Sequence, residues 1–376
     1  MPELLYNINT DRTKPWNSLP LLPIKEELYR TIEIFEKLGD ARAALARLQG
    51  RSIIIPNQGL LVNTITLQEA KISSEIENIF TTDDELYKAY SDKTTNTNGA
   101  SKEVLRYRQA LWSGYNYLSD NQQFDKEYFV GVFQNITETT DTIRPSFSNT
   151  VIKQGGTGVN SGKVIYTPPR GEQIIDDKLD NLITFLNDDE QFNIDHLLKM
   201  AIGHYQFEVI HPFRDGNGRT GRIFNINYLT NKGLIDVPIL FLSRYILDHK
   251  EEYYGGLQGV SQRGDWNKWI LFMLRAVEHT SNITYQKIND IMSTKDDILD
   301  YVRKDKQKFK DLEKLVDVLF TQPLTKVKHL VDEGVYSQNT ARDYLNRLAE
   351  MRVLEKKKID GHHYYLNLEL YRILSE

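Results

Sequence analysis

The sequence contains no cysteine, which excludes disulfides, thiolate nucleophiles, zinc fingers and iron–sulfur clusters together. It has no apolar run of 18 or more residues, so no membrane-spanning helix is expected. The first sixteen residues, Met1 to Trp16, are polar and lack the apolar segment of a secretory signal, and a cytoplasmic protein is expected. Charge of one sign is scarce as well: 47 Lys and Arg stand against 52 Asp and Glu, a formal net charge of −5. Bulk charge therefore does not draw the chain to DNA or to anionic membranes. Neither internal repeats nor low-complexity tracts occur. What is present is a globular composition, with 40% hydrophobic and 11% aromatic residues, enough apolar surface to offset the entropy of ordering. At about 150 residues per domain, 376 residues correspond to two or three domains.

Hydrophobic periodicity predicts a mainly α protein. Leu28, Ile32, Phe35 and Leu38 mark a first helix with Gly39 as its stop, and a second helix covers Ala41 to Leu48. Ile53 to Pro56 reads as extended, because a residue before proline avoids the helical region. Further helices are expected over Leu67–Phe80, Glu103–Leu118, Lys126–Val132, Ile174–Leu186, Ile194–Glu208, Arg219–Asn231 and Trp266–Lys287, with a polar break from Thr94. Thr150–Lys153 and Lys163–Tyr166 read as two short strands of a hairpin around a Gly/Asn-rich turn. A charged stretch from Lys295 to Lys310 is expected to link the core to a final module. In that module Leu312–Phe320, Leu324–Asp332 and Ala341–Met351 read as helices, the last capped from Ser337. Val353–Lys358 and His363–Leu366 form a hairpin around Asp360-Gly361. Three helices followed by a hairpin is the order of a winged helix-turn-helix. The expected domains are a helical region over 1–110, a core over 111–290 and the winged-helix module over 311–376.

One segment carries chemistry: His211-Pro-Phe-Arg-Asp-Gly-Asn-Gly-Arg-Thr-Gly-Arg222. Gly216, Asn217 and Gly218 allow backbone amides to turn into one concavity. A helix starting directly afterwards adds free N–H groups and its dipole to an anion site. Arg219 and Arg222, three apart, can address the same anion. Asp215 supplies one hard oxygen ligand, suited to Mg²⁺. His211 is a base whose unperturbed pKa near 6.5 would place a loss of activity in that region. Together these describe a polyphosphate cradle with a metal and a base.

The segment fills every specified position of the signature of the Fic family, which this chain resembles from about Asn57 to Val277. The resemblance implies transfer of AMP from ATP to a Ser, Thr or Tyr hydroxyl of a target protein, or of the chain itself, with pyrophosphate leaving. It implies His211 as base, Asp215 as Mg²⁺ ligand, and Phe213 as an inward anchor of the loop. Gly216, Asn217 and Gly218 would hold the α-phosphate, with Thr220 and Gly221 in the same ATP-binding turn. Arg219 and Arg222 would hold the β- and γ-phosphates. Tyr254 and Leu257 match residues that enclose adenine in relatives; ordinary core packing is the competing reading of both. Relatives using another phosphate donor commonly alter this loop, which here is intact and points to ATP.

Ser73-Ser-Glu-Ile-Glu77-Asn78 resembles the family's inhibitory helix, expected over about 67–80, with Ser73 and Glu77 its functional residues. On that resemblance Glu77 pairs with Arg222, misplaces the ATP phosphates, and can also orient a water for AMP removal. From the residues alone, Ser74 and Glu77 read as a capping box. Val164, Ile165 and Tyr166 resemble the family's flap, which pairs with the main chain of the target. Other readings stay open: a metal triad from His204, Glu208 and His211 on one helix face, a nucleotide-sensing transcription regulator, and a kinase using the same cradle. From Asp311 to Glu376, 10 basic and 11 acidic residues nearly cancel. Lys356 to Lys358 is the one basic cluster, so DNA is a possible partner without support from charge, and a homo-oligomer is equally open.

Overall fold

The computed structural model describes residues 5–53, 58–92, 99–153, 155, 162–305, 309–334 and 336–375, with the side chains of 58–61 not described. The helices and strands follow in the order α1 Ile32–Ile53, α2 Gln58–Ile76, α3 Asp83–Asp92, α4 Ala100–Asn121, α5 Lys126–Thr137, β1 Ile152–Lys153 and β2 Val164–Tyr166. Then come α6 Ile174–Asn187, α7 His196–Ile210, α8 Asn217–Asn231, α9 Leu242–Asp248, α10 Lys250–Arg263 and α11 Trp266–Arg303. The final part holds α12 Leu312–Phe320, β3 Leu324–Thr325, α13 Val327–Asp332, α14 Gln338–Glu350, β4 Glu355–Ile359, β5 His362–Leu366 and α15 Leu368–Ser375. The protein is mainly helical, with the small β1–β2 hairpin beside the core and a β3-β5-β4 sheet near the carboxy terminus.

α7 and α8 form the centre. Almost every residue of both is buried, because neighbouring helices enclose them: α4 and α5 pack on α8, and α6 and α11 on α7. A helix enclosed in this way needs apolar or hydrogen-bonded side chains all round. Phe124, Phe129, Phe207, Phe224 and Tyr228 supply an aromatic cluster there, with Phe129 and Phe207 stacked at 5.1 Å.

Several expectations are corrected. Gly39 does not stop a helix; α1 runs through it for 22 residues. A helical glycine costs about 1 kcal/mol relative to alanine, and burial of Ile34, Leu38, Ala41, Leu45 and Leu48 outweighs that. Ile53 closes α1 instead of opening an extended run, and residues 54–56 lie outside the described part. α2 begins nine residues before Leu67 and ends at Ile76. The β-branched run from Val62 to Thr66 disguised its start; there Thr66 donates its hydroxyl to the Val62 carbonyl at 2.6 Å, an arrangement a helix accommodates. In the hairpin, pairing covers only Ile152 and Lys153 against Tyr166 and Val164. Its expected Gly-rich turn, residues 156–161, and the polar break from Thr94 lie outside the described residues.

α11 spans 38 residues, so most of the expected charged linker is its last turns, with Leu299 and Val302 buried. Leu324 and Thr325 form a strand instead of a helix start, paired with Leu366 and Tyr365. Pro323 breaks the chain just before them. Hydrogen bonds seat this final part on α3: Tyr364 Oη donates to Asp92 Oδ1 at 2.8 Å, and His329 Nε2 lies 3.0 Å from the Ser91 carbonyl.

Candidate functional site

α7 ends where His211 adopts a left-handed conformation, φ 51°, and Pro212 removes the next N–H. Its terminal carbonyls are met by Arg144, which is buried: Nε donates to the His211 carbonyl at 2.7 Å and Nη2 to the Ile210 carbonyl at 3.2 Å. The Arg144 amide also donates to the Pro212 carbonyl at 2.9 Å. A guanidinium at a helix carboxy terminus complements its dipole, so Arg144 fixes the turn that presents His211. Nothing in the sequence near residue 144 signals this, since the partners lie 66 and 67 positions away.

The loop between α7 and α8 is closed by Asn217. Its Oδ1 accepts from the Phe213 amide and its Nδ2 donates to the Phe213 carbonyl, both at 2.9 Å. Phe213 itself is buried and stacks on Phe133, with ring centres 4.2 Å apart. The Asn217 amide group thus holds the loop from within. Of the three residues expected to curl, only Gly216 has positive φ, 72°; Asn217 and Gly218 already belong to α8. The first amides of α8 have no carbonyl to bind within the helix and remain available as donors.

Both arginines of α8 are held by carboxylates from the amino-terminal helices. Arg222 is 1% exposed. Its Nε donates to Ser73 Oγ at 2.8 Å, and its Nη2 to the Ser73 carbonyl at 3.0 Å and to Glu77 Oε1 at 2.8 Å. Glu77 lies one residue beyond α2, in a turn, not on the helix as expected; its backbone amide donates to the Ser74 carbonyl. Burial is the largest single influence and would raise the Glu77 carboxyl, but the charge and hydrogen bond of Arg222, joined by the charges of Arg219 and Lys250, together outweigh it and hold the pKa below the ordinary value. The capping-box reading of Ser74 fails, because its hydroxyl donates to the Ala70 carbonyl at 2.8 Å. Arg219 Nη1 donates to Glu103 Oε2 at 3.1 Å, and its Nη2 is 3.8 Å from Asp215 Oδ2. Glu103 is a site residue that helical periodicity alone did not mark.

Two glycines of α8 lie close under glutamate carboxylates, which an added Cβ would displace. A Cβ on Gly218 would sit 2.5 Å from Glu77 Oε1, and one on Gly221 2.4 Å from Glu208 Oε1. Two adjoining cavities meet at this point. The first, about 210 Å³, is lined by Ile152, Ile165 and Tyr166 and by Tyr253, Tyr254 and Leu257. The second is polar and is lined by Glu103, Arg214, Asp215, Asn217 and Arg219. Glu77, His211 and Gly218 border both. A pocket lined by aromatic and aliphatic side chains suits a nucleoside, and the polar one suits a polyphosphate. Thr220 and Gly221 line neither; they face the core. Tyr166 is buried and donates its hydroxyl to the Val209 carbonyl at 2.7 Å, so it anchors the hairpin while Val164 and Ile165 are half-buried.

His211 Nδ1 lies 3.3 Å from the Glu208 carbonyl, which assigns the proton to Nδ1 and leaves the Nε2 lone pair free. Burial pushes its pKa down to about 4. Burial likewise raises Glu208 and Glu69 to about 7. The His204–Glu208–His211 triad does not form: His204 Nε2 is bonded to Tyr253 Oη at 2.8 Å, and no metal-holding cluster of His, Asp or Glu occurs among the described residues.

A helical core whose two central helices are joined by a tight turn that leaves the first amides of the second helix open, with a histidine at its entrance, is the arrangement of a Fic domain. The sequence model of the Fic/DOC family matches residues 121–229, the Fic/DOC family N-terminal model matches 35–116, and the model of the protein adenylyltransferase SoFic-like C-terminal domain matches 295–370. The chain belongs to the Fic/DOC family. It is 28% identical over 134 residues to the protein adenylyltransferase fic-1 of Caenorhabditis elegans, 36% of this chain and 24% of that one. It is 34% identical over 92 residues to a probable protein adenylyltransferase of Aquifex aeolicus, 24% of this chain and 28% of that one. The matches thus span about a quarter of the length of these relatives. Among solved structures, a Fic family protein from Desulfovibrio desulfuricans aligns over 89% of this chain and 96% of its own, with TM-score 0.55 at 19% identity. Residues 134–508 of Fic-1 from Caenorhabditis elegans align over 69% of this chain and 74% of their own, with TM-score 0.52 at 17% identity. No helix among the described residues is long and apolar enough to cross a membrane.

Proposed function

We propose that this chain is a protein adenylyltransferase that moves AMP from ATP to a hydroxyl of a target protein, and that Glu77 restrains it. The observation that carries the reading is the set of residues where the two cavities meet: His211 with a free Nε2, the open start of α8, and Arg222 engaged by Glu77 at 2.8 Å. In the reaction, the target hydroxyl oxygen attacks the α-phosphorus and its proton passes to His211 Nε2. The bond from the α-phosphorus to the bridging oxygen breaks, and pyrophosphate leaves. α8 amides bind the α-phosphate, while Arg219 and Arg222 take the negative charge of the leaving group. Tyr254 and Leu257 pack on adenine, and the half-buried Val164 and Ile165 edge offers main chain to the target.

Asp215 suits a Mg²⁺ site. Its side chain is 83% exposed, Oδ1 accepts from the Gly216 amide at 2.7 Å, Oδ2 lies 3.8 Å from Arg219 Nη2, and the residue lines the polar cavity. One carboxylate is the share of ligands a Mg²⁺ bound mainly by phosphates asks of the protein. When bound, the ion neutralises phosphate charge. The chain order of helix, short strand, two helices and hairpin over 312–366 is read as a winged helix.

While Arg222 is bound by Glu77 its fork cannot serve the γ-phosphate, and ATP lies unproductively. Glu77→Gly is expected to increase labelling of target or self from α-labelled ATP by about 10²-fold, the usual worth of one charge-stabilising donor. Label from γ-labelled ATP would instead mark a kinase, binding without label would mark a sensor, and Glu77→Gly equal to wild type would overturn the restraint.

A further inference from the structure

The carboxy-terminal part carries nearly balanced charge, yet the structure sorts it. A groove of about 500 Å³ lies between the start of α13, α14 and the β4–β5 hairpin. Six of its eight lining residues are Lys, Arg or His: Lys326, Lys328, Arg342, Lys356, His362 and His363, and no carboxylate lines it. The side chains of Lys328, Arg342, His362 and His363 make no hydrogen bond or ion pair among the described residues. The pairing register puts Lys356, Lys358, His363 and Tyr365 on one face of the hairpin, while Glu355 and Lys357, 3.8 Å apart, belong to the other. Lys326 is engaged by Asp92 and rests over the Tyr364 ring at 4.5 Å, so it lends charge without a free head.

The groove is also rigid. Asn346 of α14 accepts from Lys356 Nζ at 2.7 Å and from Tyr365 Oη at 2.8 Å, which locks the hairpin to the helix. In its first turns α14 exposes Arg342 and, beside it, the carboxylate of Asp343, and before them the amides of Gln338 and Asn339. Amide side chains of that kind pair with base edges, and an α-helix fits the major groove of a duplex. Lysine and arginine side chains flanking a helix whose exposed start bears amides match the phosphates and base edges of a duplex together, whereas an acidic peptide would use the cations alone.

We propose that this groove binds the phosphate backbone of duplex DNA, with the start of α14 entering the major groove and the β4–β5 hairpin lying on the adjoining backbone. The bulk acidity of the chain does not oppose this, since contact is set by charge within about a Debye length of the groove.

The test is fluorescence anisotropy of the full chain with a labelled duplex of mixed sequence and the matching single strand. With about four cations on phosphate, affinity should fall roughly 10²-fold between 50 and 200 mM salt. Lys328→Glu with Arg342→Glu should weaken binding at least tenfold at 50 mM salt and flatten the salt dependence by about two contacts. An unchanged melting temperature confirms that the variant is folded; if it melts early, Lys358→Glu on the hairpin alone replaces it. No binding at about 10 µM protein and 50 mM salt, equal binding by folded variant and wild type, or equal affinity for duplex and single strand would each overturn the proposal.

Discussion

At the scale of the residue, His211 is neutral across the physiological range, because burial pushes its pKa down to about 4. The sign matters: the neutral form is the proposed base, so activity is kept until pH falls through the folded-state pKa. Single-turnover labelling should stay level from pH 8 to about 5 and be halved near pH 4, not near the 6.5 that an unperturbed imidazole suggests. A fall centred on pH 6.5 would mean a solvated imidazole in the competent state. The histidine was legible in the sequence; the shift was not, because it comes from the groups packed around it. Glu103 teaches the same lesson. Its carboxylate orients Arg219 from 116 positions away, a pairing that no local spacing reveals. Measured in the Glu77→Gly background, Glu103→Ala should cost about tenfold in kcat/KM for ATP, the worth of one charged hydrogen bond. Glu103→Gln, which keeps an acceptor oxygen, should cost less.

Among the elements, α2 is the one that grips α8. Ser73 and Glu77 stand four apart, so the last turn of α2 and the residue beyond it present both to Arg222. Ser73→Ala removes the acceptor for Arg222 Nε and leaves the carboxylate. It should raise labelling only a few fold, well short of Glu77→Gly, and lower thermal stability by about 1–3 kcal/mol for the buried donor left unpaired. Equal gains from both variants would show that the serine, not the carboxylate, sets the restraint. Helices with clean periodicity and turn signals, such as α6, α8 and α14, were readable from sequence. α2 was misplaced because β-branched residues mask a buried helix. β3 was missed because a two-residue strand exists only through its pairing with β5.

Across the whole molecule, α11 is the connecting member. At 1.5 Å per residue its 38 residues extend about 57 Å, from Trp266 in the aromatic core to the elements packed on α12 and α15. The expected charged linker is instead largely helix, and the sequence concealed it because charged residues on one face of a helix resemble a linker. The same connectivity governs the proposed restraint. Glu77 and Arg222 belong to one chain, so the carboxylate competes with the γ-phosphate as a tethered group. Its effective concentration is set by the fold and does not change on dilution. Restraint held within each copy should therefore be independent of enzyme concentration. Serial dilution of the wild-type chain at fixed ATP should leave the fraction labelled per molecule constant in an automodification time course, whereas a restraint supplied by a second copy would relax as the protein is diluted. Raising ATP competes against a local carboxylate concentration that dilution never lowers, so relief by nucleotide alone needs ATP in excess of that value. An agent that displaces the end of α2 from α8 removes the competitor itself and shifts the balance at ordinary ATP.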